Sequence, residues 1–176
     1  VKASLIEQCA FNNTLKQFSR SYQGKPSKII QKIVFEIEKR SLSNRTVLHS
    51  FDWNLLEDCH RLAPEFPRSY LSQLPESSDD PFEKPPDEIS PDFASFIGSI
   101  PEAIEAAGGH LWCPYFKDVT TDLVTEAHWL GLPVCTWTVN EVEDIENVID
   151  MGVDGIITDY IDRAKKILQS RGLRWR

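Results

Sequence analysis

Thr136-Trp137-Thr138-Val139-Asn140, followed by Gly152-Val153-Asp154-Gly155-Ile156-Ile157-Thr158-Asp159, decides how this chain folds. Each stretch is a short apolar run that stops abruptly in polar residues. The segment between them, 141–151, has a helical pattern. Strand, helix, strand in that order sends both polar exits to one edge of a parallel sheet. In barrels and open α/β sheets that edge is where ligands bind. Trp137, Asn140 and Asp159 are therefore candidate functional residues.

The same alternation runs upstream. A helix opens at Lys25-Pro26-Ser27, with Ile29, Ile30, Ile33, Val34 and Ile37 on one face. Residues 45–51 read as a buried strand, 54–62 as a short helix stopped near Pro64, and 66–71 as a weaker strand. The segment 75–92 is rich in Pro and Ser, with seven acidic residues and only Lys84 basic. It reads as a surface insertion, either solvated or a lid. A helix is expected over 93–107, stopped by Gly108-Gly109. Further strands are expected at 110–116, 133–139 and 155–158, and helices at 121–130 and 160–169. Asn140 with Glu143 has the spacing of a capping box. The order is one helix, then β-α five times. Such alternation means a parallel α/β sheet with right-handed crossovers. Five units are too few for a closed eight-fold barrel and would suffice for an open, flavodoxin-like sheet.

Composition narrows the function. The chain has 176 residues, 41% hydrophobic and 26% charged, enough for one domain with a core. A net charge of −8 argues against nucleic acid as a partner. It would also repel a phosphate-bearing substrate unless local cations or a metal reverse the field. No apolar run approaches the roughly 18 residues of a membrane span. The four cysteines form no C-x-x-C pair and read as reduced, buried thiols in a cytoplasmic protein. The first residue is Val1 and no signal-peptide pattern follows, which suggests a fragment or a processed product.

The two C-terminal motifs resemble the last two strands of the glycerophosphodiester phosphodiesterase family. Val47-Leu48-His49-Ser50-Phe51-Asp52 is similar to the fourth strand of that family, which usually ends in Ser-Phe-Asp. Ala127-His128-Trp129-Leu130-Gly131-Leu132-Pro133-Val134 resembles its helix-to-strand turn before the Trp-Thr-Val-Asn strand. These matches keep their order from about residue 45 to 168. The resemblance implies an α/β fold that is part of a TIM (β/α)8 barrel. About five βα units would run from the end of strand 3 to strand 8. Residues 1–176 would be the C-terminal portion of a single barrel domain, with 75–92 an acidic, proline-rich insertion loop. The implied activity is metal-dependent hydrolysis of glycerophosphodiesters to glycerol 3-phosphate and an alcohol, within lipid and glycerol metabolism.

That family carries its catalytic residues early: His-Arg-Gly on strand one, Glu-x-Asp with a following His on strand two, and Glu-x-Lys on strand three. His60-Arg61-Leu62 lacks the glycine and sits in a helix. Glu36-Ile37-Glu38-Lys39 lies in a helical pattern too close to Thr46 for a crossover. Val1-Lys2 fits the end of the strand-three motif if Glu precedes it. On this resemblance no catalytic residue and no metal ligand is expected in the chain. A divalent cation, Mg or Ca, would be held mostly by ligands outside it. The implied partners are a small glycerophosphodiester substrate and the missing N-terminal part of the barrel.

Three residues carry over as substrate-binding. Lys2 resembles the strand-three lysine, a point charge for a phosphate oxygen or substrate hydroxyl; the alternative is a frayed terminus. Trp137 resembles the tryptophan near the substrate's alcohol moiety, and Phe51 lies at a comparable strand exit. For both, the alternative is a core aromatic. His49 reads as a packed residue, His128 as a helix-surface one, Asn140 as a helix cap, and Asp159 as a cap or brace of the following loop. The Asp150-x-Gly-x-Asp154 spacing imitates a calcium loop, but Ile161 stands where the bidentate carboxylate belongs. The competing function is a non-catalytic barrel-derived binding or scaffold module. In a piece of barrel, Val47, Trp137 and Ile157 should line an apolar concave face, with bare edges at 46–51 and 155–158.

Overall fold

The apolar face of residues 26–39 forms helix α1 (Pro26–Lys39), with Ile30 and Ile37 buried. The structure is a computed structural model describing residues 4–6, 26–74, 91 and 97–173. Lys2, Cys9 and the 75–92 insertion, apart from residue 91, lie outside the described residues. Strand β1 (Ser4–Ile6) precedes α1, and strand β2 (Leu48–Ser50) follows it. The Ser-Phe-Asp motif ends β2 and starts α2 (Trp53–Leu62), because the Asp52 carboxylate accepts the Leu55 N–H at 3.0 Å. Strand β3 (Arg68–Ser72) is buried at every position, as a parallel strand covered on both faces should be.

Helix α3 spans Ile100–Ala106, residues 97–99 before it are not helical, and the expected helical positions 93–96 lie outside the described residues. Gly98 has φ of 101°, which does not continue a helix, and Ser99 and Glu102 form a reciprocal capping box. The expected stop holds. Gly108 turns with φ of 66°, and a Cβ on Gly109 would lie 2.4 Å from Ile104 Cγ2. Arg68, buried on β3, donates to the Gly108 carbonyl, placing a cation at the negative end of α3. The remaining elements are β4 (Leu111–Pro114), α4 (Thr121–Trp129), β5 (Cys135–Thr136), α5 (Val142–Asp150), β6 (Gly155–Ile157) and α6 (Ile161–Ser170).

All strand pairs are parallel. They form one sheet of order β2-β3-β4 and another of order β1-β6-β5. Parallel bridges Trp112–Val134 and Tyr115–Trp137 join β4 to β5. From β2 to β6 each strand thus lies beside its neighbour in sequence, and the winding never reverses as it does in a doubly wound sheet. The helices cover one face. There Leu48, Tyr70, Trp112, Val134 and Ile156 pack in a single core with buried residues of the helices. The opposite face carries a separate cluster, Phe51, Leu71, Cys113, Cys135 and Ile157.

Two expectations are corrected. The outer edge of Gly155–Ile157 is not bare, because Ser4–Ile6 pairs along it in register. The first strand therefore stands beside the last one rather than beside Leu48–Ser50, where the end of strand 3 would belong. That edge offers unpaired backbone donors and acceptors, and a free strand satisfies them. Val47 does not line the concave face: it is 46% exposed. It precedes Leu48, whose N–H begins the pairing by donating to Pro67 O at 2.9 Å.

Candidate functional site

Successive side chains of a strand point to opposite faces, so residues two apart share one. Phe51, Leu71, Cys113, Cys135 and Ile157 supply one apolar layer, each from a different strand or its exit. Two positions beyond Leu71, Cys113, Cys135 and Ile157 come Gln73, Tyr115, Trp137 and Asp159, nearer the C-terminal ends. This second layer is the candidate site.

Trp137, half-buried at the exit of β5, is its centre. Its Nε1 donates to Cys113 O at 2.9 Å. Phe51 meets it edge-on at 5.3 Å between ring centroids, so two of the three predicted substrate-binding residues are brought together. Tyr115 stands 5.3 Å away on another side, and Phe116 lies 4.9 Å from Tyr115. The wall ends in a cation: Lys117 Nζ lies 6.0 Å from the Tyr115 ring and 5.7 Å from the Phe116 ring. A short turn, Phe116–Asp118, fixes this arrangement. Phe116 N donates to Trp137 O at 3.0 Å, and Leu74 N donates to Asp118 Oδ2 at 2.8 Å. The exits of β3, β4 and β5 are thereby tied to one another. The third predicted residue, Lys2, is outside the described residues.

Asn140 is not a helix cap. Glu141 occupies the N-cap of α5 without a side-chain bond. The Asn140 amide instead bridges two strand exits: its Oδ1 accepts from Thr158 Oγ1 at 3.1 Å and Asp159 N at 3.0 Å, while its Nδ2 donates to Asp159 Oδ2 at 2.9 Å. Asp159 is thus a brace, acting back across the sheet. Arg163 donates to Asn140 O and stacks 4.5 Å from the Tyr160 ring, extending the clasp into α6.

Sequence reasoning passed over Gln73 and Tyr115. Gln73 is 1% exposed, and neither amide atom has a hydrogen-bond partner among the described residues. Its place two residues after Leu71 was the available signal, but β3 is buried on both faces and shows no alternation to read.

The histidines behave as structural groups. His49 Nδ1 lies 2.8 Å from Ser69 Oγ, and His128 Nε2 lies 2.8 Å from Asp154 Oδ2 on the helix surface. His60 and His110 are exposed. Asp154 also accepts from Val134 N, and Asp150 pairs with Arg171, so these acids serve the scaffold. Cys59, Cys113 and Cys135 are free and buried. Burial pushes the Cys59 thiol up to about 11, and burial with a hydrogen bond to Cys135 raises Cys113 as well. Among the described residues no group of three or more His, Cys, Asp or Glu side chains converges to hold a metal. The described part therefore does not by itself fit a divalent cation. No helix among the described residues is long and apolar enough to cross a membrane.

Comparison with known proteins agrees with this geometry. A family model described as the glycerophosphoryl diester phosphodiesterase family matches residues 8–163. A glycerophosphodiester phosphodiesterase of Bacillus altitudinis is 31% identical, over 89% of this chain and 54% of its own length. A solved structure from Silicibacter pomeroyi, assigned as a glycerophosphoryl diester phosphodiesterase, is 48% identical. It superposes with a TM-score of 0.77 over 86% of this chain and 47% of that one. An Oleispira antarctica phosphodiesterase in complex with the product sn-glycerol-3-phosphate shares the fold at 17% identity and a TM-score of 0.62, over 84% of this chain and 52% of that one. The chain spans about half the length of these relatives.

Proposed function

The chain belongs to the glycerophosphoryl diester phosphodiesterase family, and on that premise we propose that it is the C-terminal, substrate-binding part of a (β/α)8 barrel. The complete protein hydrolyses glycerophosphodiesters to glycerol 3-phosphate and an alcohol. The observation that carries this reading is the Phe51–Trp137–Tyr115 wall at the strand exits, the end of a βα barrel where substrates bind. Sequential winding from β2 to β6 and helices on one face support the barrel. The chain's share of its relatives' length supports a partial one.

In this reading Trp137 and Phe51 hold the alcohol moiety against an apolar wall and exclude water from it. Lys2 offers a positive charge to a phosphate oxygen. A divalent cation, Mg or Ca, is held mainly by residues outside this chain, as are the acid and base. The complete protein acts in the cytoplasm. The test is release of glycerol 3-phosphate from glycerophosphodiesters, glycerophosphoglycerol and glycerophosphocholine among them, by the complete protein with Mg or Ca. Trp137→Ala should lower kcat/KM about tenfold, the loss of one well-packed substrate contact, while the protein stays folded. An unchanged kcat/KM in the variant would remove Trp137 from the site. A complete protein inert toward every glycerophosphodiester would favour the non-catalytic binding module instead.

A further inference from the structure

Gln73 is a costly residue where it stands. Native chains bury few unpartnered polar groups, and each that persists needs a cause. Leu at this position would continue the apolar layer that Leu71 begins, with no amide to desolvate. Gln73 follows β3 at the height of Tyr115, in the layer that holds Trp137, and the next residue is anchored through Leu74 N to Asp118. An amide offers one donor group and one acceptor, which together suit a hydroxyl, itself donor and acceptor. Nearby, the Lys117 ammonium already lies over the Tyr115 and Phe116 rings, so a second cation at that end of the wall would meet its charge.

We infer that Gln73 binds a hydroxyl of the substrate's alcohol moiety and that Lys117 restricts that moiety to uncharged or anionic polyols. The inference rests on the phosphodiesterase reading above and specifies its substrate class. A site built to bond a hydroxyl loses strongly when the hydroxyl is absent, because its own polar group is then left unpaired. A trimethylammonium group would in addition meet the like charge of Lys117.

The experiment measures kcat and KM of the complete protein on glycerophosphoglycerol and on glycerophosphocholine, with thermal melts of each variant. The wild type should prefer the polyol ester by about tenfold or more in kcat/KM. Gln73→Leu should raise KM for that ester about tenfold while the melting temperature holds or rises, since an unpaired buried amide has been removed. A merely structural glutamine would show the opposite, a lower melting temperature and an unaltered KM. Lys117→Met should narrow the preference by admitting the choline ester. Equal turnover of both esters, or an unaltered KM in Gln73→Leu, overturns the assignment while the phosphodiesterase reading stands. Turnover of neither ester overturns that reading and this assignment with it.

Discussion

At Asn140 a single amide fastens two strand exits that lie 19 positions apart in sequence. Asn140→Ala removes three bonds from the Thr158–Asp159 corner, but the Asp159 groups are exposed and can turn to water, so the cost should be about 0.5–1.5 kcal/mol, the net worth of an ordinary hydrogen bond. Urea denaturation checks the size, and faster amide exchange at Asp159 would locate it. Cys59 supplies a pH dependence. Its thiol ionises at about 11 in the folded chain against an ordinary value of 9.0. The proton it retains stabilises the fold fully below the unfolded value, and that contribution is lost as pH rises through the folded one. Stability should therefore fall between pH 9.0 and about 11, and Cys59→Ala should flatten the fall. The clasp was hard to read in the sequence. Asn140 with Glu143 has the local spacing of a cap, whereas its real partners arrive from another strand. Trp137 was legible because an aromatic after an apolar run marks a strand exit. Gln73 was not, because a strand buried on both faces shows no period.

At the scale of elements, the start of α3 shows what capping decides. Residues 93–107 look helical as a run, yet the described helix begins at Ile100 because Ser99 and Glu102 satisfy each other's backbone N–H. Ser99→Ala should cost about 0.5–2 kcal/mol, as loss of an N-cap does. It should also increase protease cleavage near Gly98. Equal stability of variant and wild type would mean that Pro101 alone sets the start. The strands were legible as apolar runs, although they came out shorter than expected. Cys135–Thr136 is brief because its neighbours Val134 and Trp137 make only single bridges to β4.

For the whole molecule, parallel strands wound in one direction carry a second apolar layer on the face away from the helices, and its residues are buried. The order of the five βα units was legible from alternation alone. The placement of Ser4–Ile6 was not, because three residues carry no information about which edge they will join. Even with that strand in place, the outer edges of Ser4–Ile6 and Leu48–Ser50 have no partner strand among the described residues. The isolated chain is expected to self-associate through such edges or to pack loosely. Sedimentation should show dimers or larger species. A monodisperse monomer melting sharply above about 60 °C, the upper part of the mesophilic range, would speak against a partial barrel. In the proposed division of labour this chain holds substrate while the acid, base and metal ligands come from residues outside it. Its most direct test compares glycerophosphodiester hydrolysis by the 176-residue chain and by the complete protein, both with Mg or Ca. The complete protein should release glycerol 3-phosphate, and the chain alone should match a no-protein control. Hydrolysis by the chain alone, well above that control, would contradict that division.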